Sequence, residues 1–253
     1  MVIPASGWMR IGGDPAIAAW SDAALPLANA AVASGEGGWR CGGTWFPGVD
    51  ALPNDARGAV AGVELPETLL RHLPFRARNW HRAQLSTLRP GYPQPSTEES
   101  GAAFRYRLTR DAAHVDGLLP IGPDRRRMLK EPHGFILGLP LTNADPEAAP
   151  LVVWEGSHEI MRKALGAVLE PRSPADWPNV DLTDAYHAAR RMAFADCRRV
   201  MLSAVPGEAL LLHRLLLHGM APWTEGAAAA PGGRMIAYFR PEVADITDWI
   251  GLP

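Results

Sequence analysis

"EALLLHRLLLHGMAPW", residues 208–223, is an almost unbroken apolar run that carries two histidines, His213 and His218. Pro206-Gly207 is a turn signal, so a strand is expected to begin near Glu208. Side chains alternate faces along a strand. His213 and His218 are an odd number of positions apart, which predicts opposite faces, so at most one addresses a given site. His218 closes the run directly before Gly219, at a mouth of the kind where ligands sit. His213 lies among leucines and reads as a hydrogen-bonded packing residue on the outer face. Arg214 is expected to share the face of His218. A guanidinium among leucines is costly unless paired, so Arg214 is a candidate for binding a cofactor carboxylate, or else a substrate or a buried carboxylate.

The rest of the chain fits a β core around this run. It holds 25 glycines and 24 prolines in 253 residues, a composition of many turns and short strands. Further strands are expected at 80–90, 102–110, 133–143, 150–154, 198–205 and 233–241. Helices are expected from Asp14 as N-cap with Pro15 in the first turn, from Pro66, from Ser157 as N-cap, and from Asp181 as cap. The fold class is mainly β with flanking helices, a sandwich, jelly roll or barrel. One domain is expected, with an extension over about 1–79 packed on a core over about 80–241.

Composition narrows the function. A hydrophobic content of 47%, a charged content of 21% and a net charge of -2 give no electrostatic reason to expect nucleic acid or a membrane surface as partner. Cys41 and Cys197 match no zinc spacing and build no disulfide scaffold, so a reducing cytoplasm is the expected setting. No signal-peptide layout and no apolar run of membrane-spanning length stands out.

"RDAAHVDGLLP" supplies partners for His218. His114 and Asp116 are two apart and share a face on an extended segment. Together with His218 they make two imidazoles and one carboxylate. That set occupies one face of an octahedral Fe(II) and leaves positions open for a cosubstrate and O2. Alone, His-x-Asp arises readily by chance, and the fold must bring His218 to it from far along the chain. Arg234 opens the next strand, "GRMIAYFRP". If that strand pairs antiparallel with the His218 strand, its start lies near His218. A guanidinium fork matches a carboxylate. Arg240 shares the face of Arg234 further along.

With "HVDG" (114–117), "LVVWEGSHEIMR" (151–162), "GEALLLHRLLLHG" (207–219) and "GGRMIAYFRP" (232–241) in this order, the chain resembles the Fe(II)/2-oxoglutarate dioxygenases, in particular the phytanoyl-CoA dioxygenase-like group, from about Trp80 to Pro241. The resemblance implies a double-stranded β-helix core of the cupin type. It implies Fe(II) on His114, Asp116 and His218, and 2-oxoglutarate with its far carboxylate on Arg234. It also implies hydroxylation of a small-molecule substrate by O2, with succinate and CO2 as coproducts. An aspartate ligand points away from halogenation, where a small residue makes room for the halide. The chain departs from the pattern in two places. The gap from His218 to Arg234 is long, and Met220 stands where a hydroxyl side chain commonly helps to bind the carboxylate. His158 is expected to fix a helix turn, His133 to line the pocket, and His72, His81 and His187 to have no part in the site.

Substrate is less legible. Arg125, Arg126, Arg127 and Lys130 in the loop 122–133 would hold an anionic group if they border the mouth, and otherwise form a solvated charge run. Trp39, Trp45, Trp80, Trp154 and Trp223 either shape an apolar pocket or pack the core. Two other functions use the same residues. One is a cupin-like metalloenzyme that does not use 2-oxoglutarate, the other a non-catalytic jelly-roll binding protein.

Overall fold

Four segments of the chain are buried along their whole length: residues 135–140, 151–154, 209–213 and 234–239. Strands covered on both faces are apolar throughout, which is why these segments show no clear alternation. The computed structural model describes residues 3–36, 38–97 and 99–252. In chain order the elements are β1 (Trp8–Ile11), α1 (Pro15–Ser34), β2 (Trp45–Phe46), α2 (Glu67–Leu70), β3 (Gln84–Leu88) and α3 (Gly101–Arg110). There follow the hairpin β4 (Leu118–Ile121) and β5 (Arg126–Leu129), then β6 (Phe135–Pro140), β7 (Leu151–Trp154) and α4 (Ser157–Leu169). A 3-10 turn (Pro174–Asn179), α5 (Thr183–Asp196), β8 (Arg199–Leu202), β9 (Ala209–His213), β10 (His218–Met220), β11 (Arg234–Phe239) and α6 (Asp248–Gly251) complete it.

The strands form an antiparallel six-stranded sheet in the order β1-β9-β6-β11-β3-β2 and a three-stranded sheet in the order β10-β7-β8. An isolated bridge between His114 and His218 adds the segment around His114 to the free edge of the smaller sheet. Numbered from β3, with the His114 segment second, the core segments pair as 1-8-3-6 and 2-7-4-5. That winding is a double-stranded β-helix, the jelly roll.

Side-chain parity gives each sheet two different faces. Ile136, Leu210, Leu212, Ile236 and Tyr238 of the larger sheet pack against Leu151, Val153 and Leu202 of the smaller one. This shared layer is the inside of the jelly roll. The opposite parity, Phe135, Leu137, Leu139, Leu211, Met235, Ala237 and Phe239, packs outward on Ile17, Trp20, Ala24 and Ala28 of α1 and on the segment 46–73. Val152 and Trp154 face outward from the smaller sheet onto α4 and α5. α1 has the length and mean hydropathy (1.2) of a membrane-spanning segment, although no such run was expected. Its buried residues recur every three or four positions, and they seat it on the sheet.

Several local expectations need correction. The segment 102–110 is a helix, not a strand: Ser100 accepts a hydrogen bond from Ala103 N at 3.2 Å and caps it. The alternating Phe104, Tyr106 and Leu108 therefore do not mark a sheet face. Ser157 does not cap α4; Gly156 stands at that position with φ 80°, and the Ser157 hydroxyl accepts from Leu217 N instead. Asp181 binds Thr183 N from one position before the cap. The basic loop 122–133 is largely a hairpin. Its side chains are held by the far layer: Arg126 faces Asp181 at 3.4 Å and Lys130 donates to Asn179 at 3.1 Å.

The largest correction concerns the run 208–218, which is two strands in different sheets. After His213 the chain turns, with Leu216 N donating to His213 O at 2.9 Å, and crosses to the smaller sheet. No glycine or proline marks this turn. The His213 ring does the work, because its Nδ1 accepts from Leu215 N at 3.0 Å. Its Nε2 lies 3.0 Å from Arg162 Nη2. Burial, and then the charge of Arg214, push its pKa down to about 2. Arg214 is fully buried. Its guanidinium donates to the carbonyls of Trp249 (2.7 Å) and Leu252, where Arg162 also donates to Leu252 at 2.7 Å. Main-chain carbonyls at the end of α6, not a carboxylate or a substrate, are its partners.

Two outcomes are expected. Arg214→Leu should lower stability by about 3 kcal/mol in urea unfolding, through lost charged hydrogen bonds to those carbonyls. Hydrogen exchange should also rise over 246–252. For His213 the folded pKa lies below the unfolded value of about 6.5. The unfolded chain then takes up a proton that the folded chain refuses, so stability falls as pH drops below about 6. The slope is up to about 1.4 kcal/mol per pH unit. Between pH 6 and 4, His213→Gln should lose stability less steeply than the wild type.

Candidate metal centre

The centre starts from two residues that face each other across a strand pair. His114 N donates to His218 O at 2.8 Å, and His218 N donates to His114 O at 3.1 Å. Reciprocal bonds of this kind place both side chains on one face. Gly219 allows the approach: a Cβ there would collide with the Asp111 carbonyl and the Ala113 backbone. Gly117, at φ 85°, plays the same part beyond Asp116, where a Cβ would collide with the Glu131 carbonyl.

Both imidazoles are then turned by main-chain carbonyls. His114 Nδ1 donates to Ala112 O at 2.9 Å, and His218 Nδ1 to Leu216 O at 2.8 Å. Nδ1 of each ring therefore carries a hydrogen, and Nε2 is the atom that faces the shared space. At His114 that Nε2 shares a proton with Asp116, which a metal would displace. Asp116 closes the set. Its Oδ1 is 3.2 Å from His114 Nε2, and its Oδ2 is 3.8 Å from His218 Nε2. The three ligand atoms lie within 4.8 Å of one another. Bonds of about 2.0–2.2 Å set cis ligand atoms about 3 Å apart, so one ion fits with little movement.

Protonation suits a metal at Asp116 and His218. At His114 burial is outweighed by the hydrogen bond and charge of Asp116, which raise the imidazole pKa, so a cation must displace its proton. Burial opposes the Asp116 charge, but the His114 hydrogen bond and the nearby His218 and Arg240 hold its carboxyl well below the usual range. Burial pushes His218 down to about 4, against the pull of Asp116. A neutral imidazole and an ionised carboxylate are the states that bind a cation.

The centre opens into a cavity of about 180 Å3 inside the jelly roll. Ile136, Leu151 and Leu212 give it apolar walls; Trp45, Ser86, Met220 and Tyr238 also border it. Of the five tryptophans considered, only Trp45 reaches this space; Trp80 and Trp154 pack in the cores. Arg234 lies on the inward parity of β11 but pairs with Leu88 of β3, not with β10. It approaches the smaller sheet across the interior, where its Nη1 donates to Met220 Sδ at 3.3 Å. No carboxylate among the described residues forms an ion pair with it. The adjoining Tyr238 hydroxyl is buried and has no hydrogen-bond partner. Gly138 makes room for that tyrosine, since a Cβ would come within 2.8 Å of its ring. Arg234, held only by a weak thioether acceptor, and the unpaired Tyr238 hydroxyl thus converge beside the cavity, an arrangement that a stronger acceptor would improve.

The structure brings His114, Asp116 and His218 together, with Arg234 and Arg240 on the same interior. It does not bring Arg214 there. His133 lines a different cavity, and His158 is buried in the first turn of α4 with its Nε2 3.4 Å from Glu159. Tyr238 was not singled out from sequence. Its inward parity with Arg234 and Ile236 was the available signal.

No protein-family model matches the chain, and no curated protein does. Among solved structures it is similar to the non-heme alpha ketoglutarate dependent carbocyclase SnoK from nogalamycin biosynthesis, at 14% identity over 95% of this chain and 84% of that one, with TM-score 0.45. It is similar to AviO1 from Streptomyces viridochromogenes Tue57, at 15% identity, 95% and 91% coverage and TM-score 0.42. A third is EctD from S. alaskensis with 2-oxoglutarate and 5-hydroxyectoine, at 16% identity, 95% and 73% coverage and TM-score 0.42. Likeness at this level adds no weight to the chemistry, which rests on the chain's own side chains.

The wild type is expected to bind one equivalent of Co(II) or Fe(II). His218→Ala should bind it at least about 100-fold more weakly in calorimetry, since a ligand is lost outright. Undiminished binding by that variant would remove His218 from the centre.

Proposed function

We propose that the protein is an Fe(II)- and 2-oxoglutarate-dependent oxygenase acting on a small molecule. The observation that carries this reading is the pairing of a two-histidine, one-carboxylate face with a buried guanidinium, Arg234, that has no carboxylate partner among the described residues, beside the unpaired Tyr238 hydroxyl on the same interior. His114, Asp116 and His218 would hold the metal. Arg234 and Tyr238 would take a carboxylate that reaches inward from it.

When bound, Fe(II) and 2-oxoglutarate supply the activation of O2 for attack on a C–H bond, with succinate and CO2 as coproducts. The chain's own residues hold the components and exclude water. Asp116 and the two imidazoles cover one face and leave the opposite positions open. Ile136, Leu151 and Leu212 keep the inner end of the cavity apolar, so a charged carboxylate there has Arg234 and Tyr238 as partners rather than water. The Met220 thioether stands between Arg234 and the cavity and must shift or share the guanidinium when a carboxylate arrives.

Anaerobic titration with Fe(II) and 2-oxoglutarate should produce a visible metal-to-ligand absorption band. Arg234→Gln should keep metal binding and weaken 2-oxoglutarate at least about 100-fold, through loss of the charged fork. Metal binding with no such band in the wild type would favour a cupin-like metalloenzyme that does not use 2-oxoglutarate.

A further inference from the structure

Arg240 directly follows β11 and continues the inward parity of Arg234, Ile236 and Tyr238. Its main-chain N–H donates to His81 Nε2 at 2.7 Å, which fixes the backbone from the N-terminal layer. Its Nη1 donates to Asp116 Oδ2 at 3.2 Å. The other carboxylate oxygen, Oδ1, faces His114 Nε2 at 3.2 Å, while the Arg240-bound Oδ2 is 3.8 Å from His218 Nε2, so both oxygens border the ligand set. The guanidinium also stands between two spaces. One is the 180 Å3 cavity at the metal centre; the other is an outer cavity of about 710 Å3, bordered by Phe75, Arg78, His133 and Glu242 among others. Among the described residues Arg240 is the one side chain that lines both. Its Nε is buried without a partner.

We propose that Arg240 is a positioning residue for the metal centre: by occupying one oxygen of Asp116, it leaves the ion a single carboxylate oxygen and keeps the remaining positions free. The assignment rests on the metal reading above. A carboxylate at the end of a flexible side chain can swing to offer both oxygens, and the second would take a position that a cosubstrate needs. A charge-assisted hydrogen bond at Oδ2 opposes that rotation. The backbone anchor at His81 fixes the end of β11 from which the guanidinium projects. Arg240 touches no reacting atom in this role; it acts through Asp116.

The test uses Co(II) as an optical probe, without 2-oxoglutarate, on the full-length wild type, Arg240→Lys and Arg240→Met. The expected result is about 10-fold tighter Co(II) binding in Arg240→Met, since the ion gains an oxygen and loses a neighbouring cation, with a d–d spectrum shifted by the extra oxygen. Arg240→Lys, which keeps one charged donor, should lie between it and the wild type in both readouts. Thermal unfolding without metal checks that the variants fold; if Arg240→Met does not, Arg240→Lys decides. Wild-type affinity and spectrum in the folded variants would overturn the proposal and leave the metal reading intact. A wild type that binds no Co(II) would overturn the metal reading and this proposal with it.

Discussion

The reciprocal hydrogen bonds between the main chains of His114 and His218 are the constraint on which the centre depends. They join two segments that are remote in sequence and place two imidazoles side by side, with ring centroids 4.7 Å apart. The segment around His114 is too short to be a strand in its own right. It is held by the bridge, by Met220 N donating to Asp111 O at 2.7 Å, and by the missing side chain of Gly219. The residue after the distal histidine therefore matters as much as the histidine, because a side chain there would push the first ligand pair away.

From that bridge the chemistry follows in layers. Carbonyls of Ala112 and Leu216 hold both Nδ1–H groups, and that aims both Nε2 atoms at the shared space. The aimed Nε2 atoms and a buried carboxylate make a cation site that is charged before the cation arrives. Behind it the jelly roll offers apolar walls, a guanidinium without a carboxylate and an unpaired hydroxyl. A folded chain keeps such groups where binding a ligand returns what folding withheld.

Much of this was legible from sequence, and the exceptions have physical reasons. Parity alone put His114 and Asp116 on one face, and the apolar runs marked β3 and β6 to β11 but not the rim strands β1 and β2. Parity also separated His213 from His218, but the premise of one continuous strand was wrong. The turn after His213 uses an imidazole acceptor instead of glycine or proline, so no turn signal announces it. The same break sent Arg214 to the carbonyls of Trp249 and Leu252 and away from the metal. The helix at 101–110 was hidden because Phe104, Tyr106 and Leu108 mimic a strand period. Only the cap at Ser100 distinguishes it. Arg234 was expected to neighbour His218 within one sheet. It comes close across the interior instead, a juxtaposition that depends on how two sheets face each other and that no local pattern records.

The N-terminal segment adds more than a covering layer. The six-stranded sheet ends in β1 on one side and β2 on the other, strands of four and two residues. Both rims of the larger sheet are thus supplied by the first fifth of the chain. A sheet rim left bare presents a row of unpaired amides and carbonyls that recruits the rim of another molecule. Short terminal strands leave little for a second copy to join. By this geometry the N-terminal residues govern colloidal behaviour: a chain that lacked them would expose β9 and β3 as rims, with their adhesive backbone turned outward.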